Sequence, residues 1–215
     1  QRQMCIRDSF NPMEKNGIFY LLQIRPMVDV KADLDEDLEK IDEKTLLLKS
    51  YNSLGHGVME DIQDIIYVKT EGYSASNNQL IAYDIEKLNR RFLDEGKNYV
   101  LVGPGRWGSS DTWLGIPVKW PNISAARVIV EAGLTNYRID PSQGTHFFQN
   151  LTSFGVGYFT INAYMNDGIY NQAALDALPA VEETRFLRWV HFDQPLEVKM
   201  DGRKKIGVVA WKGMR

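Results

Sequence analysis

Cysteine is nearly missing: Cys5 stands alone among 215 residues, which excludes a disulfide within the chain and makes a reducing, cytoplasmic setting the expectation. No apolar run approaches the roughly 18 residues that argue for a membrane-spanning helix, so a membrane is not an expected partner. A surplus of positive charge is missing too. The 25 Lys and Arg are outnumbered by 28 Asp and Glu, for a net charge of -3, and no basic stripe runs along the chain, which argues against nucleic acid as a partner. Repeats and low-complexity tracts are also absent. What is present is the composition of a globular protein: 44% hydrophobic and 11% aromatic residues can build a core, and 25% charged residues argue against disorder.

The first residues, QRQMCIRDS (Gln1 to Ser9), show no apolar period and no turn logic. They match the translation of a transposase adapter used in sequencing libraries, and are expected to be a scar that stands outside fold reasoning. On that expectation the natural polypeptide extends upstream of Phe10. Asn16-Gly17 is a turn signal feeding Ile18 to Arg25, where the strand period puts Phe19, Leu21, Gln23 and Arg25 on one face. Pro26, with no N–H to donate, ends that strand. The acidic run from Lys31 to Lys44 carries Leu34, Leu38 and Ile41 at helical spacing and reads as a solvated helix or linker. The expected organisation is a segment 10–30 closing one domain, an acidic helical linker over 31–50, and a second domain over 51–215.

Beyond the linker the signals alternate. Gly55-His56-Gly57 is a turn, and Asp64 to Lys69 a β-branched strand. Tyr83 to Glu95 is an amphipathic helix with Ile85, Leu88, Phe92 and Leu93 on one side and Gly96 as its stop. Tyr99 to Val102 is an apolar strand of the kind buried on both faces. Strands follow at Ala126 to Glu131 and Val156 to Ile161, a short helix at Gln172 to Leu178, and closing strands at Leu187 to Phe192 and Ile206 to Trp211. This interleaving predicts an α/β fold, a mixed sheet with flanking helices.

Three places offer chemistry. Gln23 and Arg25 would converge a carboxamide and a guanidinium on one ligand, the latter suited to phosphate; the alternative is the wet face of an edge strand. Gly103-Pro104-Gly105-Arg106-Trp107-Gly108-Ser109-Ser110-Asp111 is a loop whose amides could cradle phosphate with Arg106 supplying charge. It lacks the GK[ST] ending of a P-loop, and its alternative is a simple turn with Trp107 and Trp113 packed beneath. In GTHFFQNLTSFGV, Gly144 to Val156, His146 heads a short helical stretch. It is either a capping residue or a nucleophilic imidazole kept neutral by the helix N-terminus, which would also stabilise a phosphoryl group.

LLQIRPM, Leu21 to Met27, resembles the LQxRP segment that ends the ATP-grasp domain of pyruvate phosphate dikinase and phosphoenolpyruvate synthase. The resemblance implies a metal-nucleotide site at Gln23, phosphate contact by Arg25, and ATP with Mg2+ as cofactors. It also implies a following swivelling phosphohistidine-type domain, whose signature resembles GGxTSHAAIVARELGIP. His146 and Gly155 keep the family's nine-residue interval. Met200-Asp201-Gly202 resembles the closing hairpin. The chain departs from the family at Pro141, Ser142 and Gln143, where it has paired glycines, and at Phe147 and Phe148, where it has small residues. The expectation is the carboxyl-terminal part of an ATP-dependent phosphotransferase: His146 catalytic with Arg25, Gln23, Arg25 and Arg106 contacting nucleotide, and a small acceptor such as pyruvate. It would pack on the upstream ATP-grasp domain. A non-catalytic ligand- or partner-binding domain of the same descent is the alternative.

Overall fold

The computed structural model describes residues 4–11, 18–26, 34, 37–140, 151 and 154–213. Two compact units divide the chain, Gln1–Asp35 and Glu36–Arg215, and the division falls inside the acidic run. In the first unit β1 (Met4–Asn11) and β2 (Ile18–Pro26) pair antiparallel. The expected strand is β2, closed by Pro26; β1, laid across residues without an apolar period, is an element the pattern did not announce. Gln23 stands opposite Arg7 and Arg25 opposite Cys5.

Inside the acidic run, two 3-10 turns, Leu38–Lys40 and Glu43–Thr45, replace the expected helix. The carboxylates of Asp37 and Asp42 each accept an amide two residues on, from Glu39 at 3.3 Å and Lys44 at 3.0 Å. Each therefore starts a turn of its own and interrupts helix propagation. Strand β3 (Leu46–Ser50) follows at once and is wholly buried.

The second unit stacks two sheets. The larger contains β4 (Asn52–Leu54), β6 (Asp64–Val68), β7 (Tyr99–Gly103), β10 (Ala126–Ala132), β11 (Gly157–Ile161), β13 (Ala180–Glu183) and β14 (Leu187–His191). Its order is β13-β14-β6-β7-β10-β11-β4, with β6, β7, β10 and β11 parallel, β14 and β4 antiparallel to them, and β13 antiparallel to β14. The smaller sheet, wholly antiparallel, joins β3 and β5 (Gly57–Met59) to β12 (Ile169–Tyr170), β15 (Glu197–Asp201) and β16 (Ile206–Ala210). A two-stranded ribbon, β8 (Arg106–Trp107) and β9 (Gly115–Ile116), stands apart. The α/β expectation with a mixed sheet holds.

Each core follows from strand alternation. Tyr99 and Leu101 of β7 face one side and Val100 and Val102 the other, so both faces of the strand are buried. Between the sheets lie Leu48, Val100, Val102, Val130, Phe159, Val198 and Val209. On the opposite face, helix α1 (Asn78–Asp94) lays down Ile81, Ile85, Leu88 and Phe92, at helical period, against Leu101, Ile129 and Trp189. It begins five residues before the expected Tyr83, because Ser74 caps a 3-10 turn, Ala75–Asn77, that runs straight into it. Leu93 was expected on the buried stripe but is exposed, being one position, about 100°, past Phe92. Gly96 ends the helix as expected, with the Lys97 amide donating to Phe92 O at 2.9 Å. The hairpin β15–β16 closes the fold, and the His56 Nδ1 accepts from the Gly202 amide at 3.2 Å.

Candidate functional site

All four parallel strands point their carboxyl ends the same way, and in parallel sheets such ends are where loops build ligand sites. The loops after β6, β7 and β10 meet there. Gly103, the last residue of β7, is obligatory: a Cβ would lie 2.4 Å from the Trp107 ring, which folds beneath the loop and is buried. Trp107 Nε1 donates to Val130 O at 2.9 Å, and the Trp107 amide donates to Glu131 Oε1 at 3.0 Å. Glu131 is itself buried, and its Oε2 accepts from the Tyr158 hydroxyl at 2.5 Å. A carboxylate thus sits under the loop at the end of a central strand.

From the helix side the loop is held by Asn78, the first residue of α1 and fully buried. Its Nδ2 donates to Thr112 O at 2.7 Å and Gly115 O at 3.0 Å, and its Oδ1 accepts from the Tyr73 hydroxyl at 2.9 Å. Tyr73 packs edge-on against Tyr137, ring centroids 5.2 Å apart, and the Tyr137 hydroxyl donates to Trp113 O at 2.7 Å. Burial pushes both phenols above their usual range, Tyr73 further than Tyr137, so both stay protonated at neutral pH and act as donors. A cleft of about 150 Å3, lined by Lys69, Tyr73, Ser74, Asn77 and Phe186 among others, lies at the end of β6.

Six amides between Arg106 and Leu114 are already used. Arg106 N donates to Leu114 O, Gly108 N to Ile116 O, Asp111 N to Ser109 Oγ, Trp113 N to Asp111 Oδ1 and Leu114 N to Asp111 O. With Trp107 N on Glu131 as well, the loop presents side chains to a ligand and keeps these amides to itself, unlike the cradle its glycines promise. Arg106 Nε donates to Asp140 O at 2.6 Å. Its terminal nitrogens have no acceptor among the described residues. Trp107 packs beneath as expected, but Trp113 does not: it is 68% exposed.

Gln23 and Arg25 lie on β2 of the first unit, Arg106 on the loop of the second, and His146 outside the described residues, as do Pro141 to Gln143, Phe147 and Phe148. What the structure assembles around Arg106 is Glu131, Asn78, Tyr73, Tyr137 and Trp113. Sequence reasoning passed over Glu131 and Asn78; the one available signal was a lone acidic residue in the β-branched run ARVIVE. His191, a solitary strand histidine in the sequence, has Nδ1 on Asp64 Oδ1 at 2.9 Å, an oxygen that also accepts from Trp189 Nε1 at 2.8 Å. Among the described residues no three His, Cys, Asp or Glu gather as metal ligands, and no helix is long and apolar enough to cross a membrane. Compared with family models, curated proteins and solved structures, the chain matches none of them.

Proposed function

We propose that the chain is part of an ATP-dependent phosphotransferase of the pyruvate phosphate dikinase and phosphoenolpyruvate synthase type, with His146 carrying a phosphoryl group from nucleotide to a small acceptor such as pyruvate. The observation that carries the reading is the connection from β10 to β11. These neighbours are parallel, so the connection between them, from Gly133 to Val156 in the sequence, is a crossover and not a hairpin. Leu151 and Val156, close to the start of β11, are buried in the core that α1 covers. His146 falls within that crossover, between two central strands, where the family carries its histidine. Support also comes from the order around it: a Gly55–Gly57 turn, β6, α1, β7, then β10 and β11.

In this reading an imidazole nitrogen attacks phosphorus, an N–P bond forms as the P–O bond to the nucleotide breaks, and an acceptor oxygen later takes the phosphoryl group and frees the imidazole. Gln23 and Arg25, two positions apart on β2, would contact the metal-nucleotide. Mg2+ would neutralise phosphate charge there. A purely binding or regulatory domain is the second reading, favoured by the two phenylalanines beside His146 and by Pro141 to Gln143 in place of glycines.

The test is incubation of the full-length protein with ATP labelled at the β-phosphate. Acid-labile label is expected on the wild type and none on His146→Asn. An unlabelled wild type removes the relay and leaves the binding domain.

A further inference from the structure

Trp113 is exposed in a place built to hold it still. Its amide is fixed by Asp111 Oδ1 at 2.9 Å and its carbonyl by the Tyr137 hydroxyl at 2.7 Å. Its two neighbours are also anchored, Thr112 O by Asn78 Nδ2 at 2.7 Å and Leu114 N by Asp111 O at 3.1 Å. A flexible surface loop would let an indole fold down onto apolar atoms; this one holds the ring out in water at 68% exposure.

What surrounds the ring decides between a protein partner and a small ligand. Protein partners want contiguous apolar surface. Of the other large apolar side chains of the loop, Trp107, Ile116 and Val118 are buried and Leu114 is half-buried. The exposed company is polar, Ser110 and Asp111. A single flat ring among polar groups matches a planar heterocycle, which needs one face to stack on. Arg106 adds the second element. It is paired in the ribbon with Gly115, two residues from Trp113, and its Nε is pinned to Asp140 O while its terminal nitrogens have no acceptor among the described residues. A guanidinium so held is preorganised for a phosphate oxygen. Asp111 is the one carboxylate on the loop, and its Oδ1 is spent on the Trp113 amide.

We propose that Trp113 and Arg106 form a nucleotide subsite at the carboxyl edge of the parallel sheet, the indole stacking on the base and the guanidinium binding a phosphate. The choice of a nucleotide, rather than another planar anion, rests on the phosphotransfer reading above.

The two ideas fail separately. Binding of ATP, AMP and inorganic tripolyphosphate to the 215-residue chain is followed by tryptophan emission and by calorimetry. ATP and AMP are expected to quench the emission component that Trp113→Phe removes. Trp113→Ala should weaken ATP about tenfold while leaving tripolyphosphate unchanged, and Trp113→Phe should stay within about threefold of the wild type. Arg106→Ala should weaken ATP and tripolyphosphate alike. Equal ATP affinity in the wild type and Trp113→Ala, or no binding of ATP by the folded chain, overturns the subsite. Quenching by AMP at Trp113 without label on His146 in the full-length protein keeps the subsite and removes the relay; label on His146 undiminished in Trp113→Ala, with ATP affinity unchanged, does the reverse.

Discussion

Glu131→Ala is expected to lower the unfolding free energy by about 3–5 kcal/mol. The carboxylate is 4% exposed, and its oxygens accept the Trp107 amide at 3.0 Å and the Tyr158 hydroxyl at 2.5 Å. Alanine removes the acceptors and leaves both donors where water does not reach. An orphaned buried donor costs roughly 1–3 kcal/mol, and the vacated volume adds a cavity cost of comparable size. Glu131→Gln keeps the shape and one acceptor oxygen, and should lose no more than about 1.5 kcal/mol. Tyr158→Phe removes one of the stranded donors, so the double variant Glu131→Ala/Tyr158→Phe should cost less than the two single changes added. Urea unfolding reads all four, with the midpoint moving and the slope constant. An alanine variant within about 1 kcal/mol of the wild type would mean that Glu131 does not hold the loop down.

The same carboxylate joins stability to the site. Trp107 is tied at its amide to Glu131 and at its indole to Val130 O, so the base of the loop is fixed to the end of β10. Trp113, six residues on, inherits that rigidity through Asp111 and Tyr137. An exposed ring gains nothing from its own contacts; its placement is supplied by buried ones.

What was legible in the sequence follows from how far each signal reaches. The strands buried on both faces, β7 and β10, and the stripe of α1 announce themselves locally, because their apolar period depends only on neighbours in the chain. In the smaller sheet β16 does so too, over the expected Ile206 to Trp211, but its shorter strands do not. β5 is three residues, Gly57–Met59, whose Val58 is exposed, and β12 is two, so neither carries a period to read. Leu46-Leu47-Leu48 is apolar enough to be seen, but the acidic helical spacing before it competed for the same residues. Asn78 and Glu131 were missed for another reason. A buried polar residue is recognised by its partners, and the acceptors of Asn78 Nδ2 lie 34 and 37 positions away while the donors to Glu131 lie 24 and 27 away. Trp113 was misjudged in the opposite sense: hydrophobicity argues for burial, and only the hydrogen bonds of its own loop hold it out.

Gly115→Ala is the sharpest perturbation of that loop. A Cβ at this position would lie 1.9 Å from the Arg106 carbonyl oxygen and 2.7 Å from the Arg106 nitrogen. These are backbone atoms, so no rotamer change relieves the overlap and the β8–β9 ribbon must separate. Its bonds go with it: Arg106 N to Leu114 O at 3.0 Å, Gly108 N to Ile116 O at 2.9 Å, and Asn78 Nδ2 to Gly115 O at 3.0 Å. Overpacking of this kind costs about 1–3 kcal/mol and each of the three lost hydrogen bonds roughly 1 kcal/mol, so a total of about 4–6 kcal/mol is expected. Gly72→Ala is the control. Its Cβ would meet nothing within 4 Å, but its φ is +68°, so the cost is the left-handed backbone alone, about 1–2 kcal/mol. Thermal unfolding should therefore separate two identical substitutions by their causes. Gly115→Ala should also shift tryptophan emission in the folded protein and abolish quenching by ATP at temperatures well below its transition, which Gly72→Ala should not. Equal destabilisation by the two would mean that the ribbon yields freely, and a loop that yields cannot hold Trp113 out as a platform.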